Sequence, residues 1–72
     1  MINLHELSVV LEKLYENQVA LAASIEELAL WAEVRAEDDA LAENIRGALD
    51  TLDRNADTIS HAITTLRLPP AQ

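Results

Sequence analysis

Between Leu4 and Leu68 the chain contains no proline and a single glycine, Gly47. A stretch that long without a breaker leaves no punctuation for tight hairpin turns or short strands, and it favours helix. The only prolines, Pro69 and Pro70, follow at once and disfavour helix from Leu68 onward. Half of the residues are apolar, mostly Leu and Ala, and Tyr15 and Trp31 are the only aromatics, which suits an all-α bundle.

Apolar periodicity divides this stretch in two. Leu4, Leu7, Leu11, Leu14, Gln18, Leu21, Ile25, Leu28 and Ala32 follow alternating steps of three and four, and only Gln18 is polar. Such a seam lays one helix against a neighbour. Continued past Ala32, the same register lands on Asp39, Arg46, Asp53, Ser60 and Arg67, so it fails. A second register fits the rest, with Ile45, Leu52, Ile59 and Leu66 in one row, Leu41, Ala48 and Ala62 in another, and Leu49, Ala56 and Ile63 alongside. The slip falls in residues 35–39. A continuous helix would turn the two stripes to opposite sides, whereas a turn lets them face each other.

The expected structure is a single domain over residues 1–72: a helix over about 4–35, a turn over about 36–38, a helix over about 39–68 and a Pro-terminated tail at 69–72. Asn3 with Glu6 predicts the first N-cap, and Asp38 or Asp39 the second. With the turn near residue 37, facing residues have numbers summing to about 74. This sets Leu14 near Ile59, Leu21 near Leu52, Ile25 near Leu49, and Gln18 beside Asn55 and Ala56. Gln18 and Asn55 then form a polar layer that could set oligomer register, or else face water at the seam edge.

A chain of 72 residues with no cysteine has neither a disulfide framework nor thiolate metal ligands, and one small core rarely suffices. Association is the remaining device. The expectation is an antiparallel, coiled-coil-like two-helix hairpin that dimerises into a four-helix bundle. Val19, Ala23, Leu30 and Val34 form an apolar strip outside the heptad seam, and Trp31 borders that seam. Trp31, Leu30, Val34 and Val19 are therefore the candidate partner-binding residues, the alternative being that a symmetric homodimer buries them. Gly47, in mid-helix, invites a close neighbour, for which Trp31 of a partner chain is one candidate; it could equally be a surface accident.

Glu33, Glu37, Asp38, Asp39 and Glu43 gather at the tip of the hairpin, as a solvated helix end, a docking surface for a basic partner or a mimic of nucleic acid charge. His5 and His61 read as solvated, because a metal site needs more convergent ligands. Neither a phosphate loop, a nucleophile elbow nor a zinc pattern is present, so no cofactor is expected and an enzyme is disfavoured. A net charge of −8 opposes direct binding to nucleic acid and anionic membranes. The chain has no leader pattern and no apolar run of about 20 residues, so the expected location is cytoplasmic.

The stretches Leu30-Trp31-Ala32-Glu33 and Asn44-Ile45-Arg46-Gly47-Ala48-Leu49, with Asn55-Ala56 and Ile59 beyond them, resemble short bacterial and phage-borne helical proteins. In general shape the chain is also similar to the hairpin chaperones of secretion systems and to phage-encoded inhibitors of host proteins. The resemblance implies a small accessory or regulatory protein and transfers no site residues. The expected function is a non-enzymatic homodimeric inhibitor, adaptor or chaperone that occludes an unidentified protein partner. A purely structural oligomerisation subunit and an acidic DNA mimic are the alternatives.

Overall fold

The computed structural model describes residues 3–68. Nearly all of them belong to two helices packed against each other, α1 (Leu4–Val34) and α2 (Asp39–Arg67). Both helices and the turn between them fall within a residue or so of the expected bounds. The proline tail expected at 69–72 lies outside the described residues. The hairpin measures 56 × 20 × 16 Å, the proportions of a rod one helix pair wide.

Local chemistry sets the ends of the helices. The Asn3 side chain accepts hydrogen bonds from the His5 and Glu6 N–H groups, the former at 2.8 Å, satisfying donors that no helical carbonyl can reach. At the other end α1 widens before it stops. The Ala36 N–H reaches back to the Trp31 carbonyl and the Asp38 N–H to that of Ala32. Glu37 reverses the chain at φ 52°, a left-handed conformation usually left to glycine or asparagine. Asp38 then caps α2, its Oδ1 accepting from the Leu41 N–H at 3.0 Å and its carbonyl from the Ala42 N–H.

The rows that fill the seam differ from those expected. Ser8, Leu11, Gln18, Ala22, Ile25, Ala29 and Ala32 of α1 are buried or half-buried, with Tyr15 at the margin. On α2 the corresponding set is Ala42, Ile45, Leu49, Leu52, Ala56, Ile59, Ile63 and Leu66. The two sets are spaced so that their members match at number sums of 74, as Ala32 with Ala42 and Gln18 with Ala56, while the two ion pairs that cross the hairpin, Glu33 with Arg46 and Glu12 with Arg67, sum to 79. Of the leucines expected in the seam, Leu7 and Leu11 are half-buried, but Leu4, Leu14, Leu21 and Leu28 stay outside it, at 64, 47, 52 and 46 % exposed. Leu41, Ala48 and Ala62, also expected inside, are exposed as well.

The correction has a steric reason. The row Leu11, Gln18, Ile25, Ala32 is flanked on one side by the leucines and on the other by Ser8, Tyr15, Ala22 and Ala29. Closing on the smaller side lets the two backbones approach, most of all near the turn, where Ala29, Ala32 and Ala42 are almost fully buried. The resulting core is thin. Among the described residues its only other buried apolar member is Ile63, and no large side chain is fully covered.

Candidate interaction surfaces

Two ion pairs orient the hairpin. Glu33 meets Arg46, and Glu12 meets Arg67, both across the helix pair. Each of these residues follows a seam residue by one position, so the same flank of the hairpin carries all four. Partly exposed pairs of this kind add little stability, but they mark that flank as polar and closed. Leu14, Leu21 and Leu28 lie roughly 160° around α1 from the Glu12 and Glu33 row, at 100° per residue. Leu41, Ala48 and Ala62 bear the same relation to Arg46 and Arg67 on α2. The two rows left out of the seam therefore share the opposite flank, which is open and apolar apart from Asn55 in the α2 row.

The apolar surplus is unevenly shared. Of the thirteen exposed large apolar side chains among the described residues, eleven are on α1, one is Leu41 of α2 and one is Leu68 at the α2 C-cap. Thus α2 has one apolar face and α1 has more than one. A 7.9 kDa protein closed around its own core exposes roughly 4,400 Å². The hairpin exposes 5675 Å². The difference, about 1,300 Å² per chain, exceeds the roughly 800 Å² per partner of a standard protein interface.

The four residues singled out for partner binding are all exposed: Trp31 at 53 %, Val34 at 64 %, Val19 at 48 % and Leu30 at 46 %. Leu30, Trp31 and Val34 line one shallow depression with Glu27 and Arg35. Val19 is on the same side of α1 as Leu30 but about 16 Å nearer the N-terminus, so it belongs to the face and not to the depression. Trp31 stands between this depression and the leucine flank, continuing the line Leu21, Leu28.

The polar residues separate in the same way. Gln18 is half-buried opposite Ala56, and its Oε1 is buried without a hydrogen-bond partner. Asn55 is exposed beside the seam, and no hydrogen bond joins the two among the described residues. Of the acidic tip, Glu33 is engaged by Arg46 and Asp38 by the α2 cap, while Glu37, Asp39 and Glu43 are exposed. His5 and His61 are exposed, and no metal-binding group of three ligands occurs among the described residues. Gly47 is exposed, and a methyl group added at its Cα would meet nothing within 4 Å, so this chain supplies no close neighbour to explain the glycine.

Sequence periodicity missed the leucine flank, because it assigned those leucines to the intramolecular seam. The signal that could have found it is the parallel row Ser8, Tyr15, Ala22, Ala29, which completes a seam equally well. Among the described residues no helix is long and apolar enough to cross a membrane. No protein-family model, curated protein or solved structure matches the chain, so these comparisons do not bear on the likeness to short phage and bacterial proteins.

Proposed function

We propose that the chain is a non-enzymatic interaction protein, which pairs with itself and covers a surface of another protein as an inhibitor, adaptor or chaperone. The observation that carries this reading is the concentration of exposed apolar side chains on α1, which leaves more than one face of a single helix uncovered. A homodimer assembled as a four-helix bundle would cover one such face. The depression lined by Leu30, Trp31 and Val34 would remain for a client, with Trp31 as the anchor and the exposed acids near the tip steering a basic partner.

Tagged protein retained on a column with source lysate tests the client. Leu30→Ala with Val34→Ala should leave helicity and sedimentation unchanged while client retention weakens by about 1 to 3 kcal/mol. Dissociation of the oligomer by this double variant would instead place these side chains in the self-interface. A purely structural subunit is the second reading, favoured by the surplus area, since one self-interface could account for all of it. A DNA mimic has less support, because Glu33 and Asp38 are held by the fold. Its complex would weaken steeply with added salt.

A further inference from the structure

We propose that the open flank of α1, from Val10 through Leu14, Leu21 and Leu28 to the near edge of Trp31, is the surface on which a second copy of this chain packs, α1 against α1 in antiparallel orientation, the far edge of Trp31 staying with the depression it lines. The inference rests on the self-pairing part of the proposed function and assigns it a face and a direction. This flank spans about 32 Å of helix, and all five side chains are close to or more than half exposed.

Three observations select a second copy as the occupant. The first is area: the surplus of about 1,300 Å² over the whole chain exceeds the roughly 800 Å² per partner of a standard interface, so a second copy can cover this flank and still leave the Leu30 and Val34 face open. The second is charge. A partner identical to this chain carries the same −8, so it can approach only where acids are absent. Asn17 and Ser24 are the only polar members of the strip from Val10 to Trp31, and none of its side chains is charged.

The third is symmetry. Read from either end, the strip runs apolar, apolar, polar, apolar, polar, apolar, apolar, with Leu21 at its centre. A two-fold interface requires a surface complementary to its own reversed copy, and this pattern has that property. Beside the strip, Lys13 lies about 12 Å before its centre and Glu27 about 9 Å after it. Antiparallel packing brings Lys13 of each copy toward Glu27 of the other, whereas parallel packing sets like charges together. In the isolated hairpin Lys13 bonds only to exposed Glu16, at 3.3 Å. On the same flank α2 presents the small Ala48 and Ala62, with the uncharged Asn55 between them, which allow a second hairpin to lie close.

The test combines sedimentation equilibrium with cysteine cross-linking, which the absence of native cysteine makes clean. The wild-type chain should sediment as a dimer. Leu21→Glu places a carboxylate at the centre of the interface in both copies and should raise the dissociation constant at least about a hundredfold. Leu30→Ala with Val34→Ala should not. Because Leu21→Glu could also unfold a hairpin that needs its partner, circular dichroism accompanies it and milder variants carry the orientation. Leu14→Cys alone and Leu28→Cys alone should stay uncross-linked under oxidation, while an equimolar mixture of the two forms a disulfide dimer. Efficient cross-linking of either variant alone would overturn the antiparallel arrangement. A monomeric wild type, or a dimer indifferent to Leu21→Glu, would overturn the assignment of this flank. Either result is separable from failure of the client reading, which is decided by lysate retention of Leu30→Ala with Val34→Ala.

Discussion

Replacing Gln18 with leucine should make the protein more stable and less well specified. Gln18 is half-buried in the seam, and its Oε1 is shielded from solvent with no donor in reach. Leaving a buried acceptor unpaired costs about 1 to 3 kcal/mol. A leucine there would also gain apolar burial, about 1 kcal/mol at half of its full value. Allowing for partial relief of the acceptor by water, the expected gain is about 2 kcal/mol per chain. In a domain this small, each kcal/mol moves the midpoint by about 4 to 8 °C, so melting should rise by roughly 8 to 16 °C at fixed protein concentration. Thermal unfolding followed by circular dichroism measures this, with Gln18→Glu as a control expected to lower the midpoint. Sedimentation of Gln18→Leu should reveal mixed oligomers, since a polar seam residue restricts register. An unchanged or lower midpoint would refute the reasoning and mean that the assembled protein satisfies this oxygen.

Gly47→Ala should stabilise the chain by about 0.5 to 1 kcal/mol in chemical denaturation, because the site is open; weakened dimerisation would instead reveal close approach by a second chain. Glu37→Gly should be neutral to stabilising by up to about 1 kcal/mol, since relief of a left-handed conformation is partly offset by the freedom glycine adds to the unfolded chain; a clear loss in urea titration would contradict this. Asp38→Ala removes the α2 cap and should cost about 1 kcal/mol by the same titration, whereas Asp39→Ala should cost less.

The helices and their bounds were legible because each rests on local or periodic signals. Asn3 and Asp38 are cap residues by chemistry, and the phase slip at residues 35–39 locates the turn. What could not be read was the side of the Leu11 to Ala32 row on which the hairpin closes. Hydrophobicity favours Leu14, Leu21 and Leu28, whereas close backbone approach favours Ser8, Ala22 and Ala29; a one-dimensional pattern does not weigh a large side chain left outside against a shorter distance between axes. The reversal at Glu37 was hidden for a similar reason. Nothing in a glutamate announces positive φ, and the conformation is imposed by the Ala36 and Asp38 bonds to carbonyls of α1. Exposure of Trp31, Leu30, Val34 and Val19 agreed with the periodicity because none lies in either candidate seam.

The alanine layer beside the turn also sets an order of events as the chain folds. Ala32 and Ala42 are only ten positions apart, while Ser8 and Leu66 at the far end are separated by most of the chain. Closing the short loop costs the least entropy, so pairing starts at the tip and each further layer lengthens the loop only slightly once the previous one is in place. The hairpin thus zips from the turn toward its termini. Opening runs in reverse, beginning at the end whose pairing closes the longest loop. The end farthest from the turn becomes the part of the molecule whose lifetime depends most on what binds it.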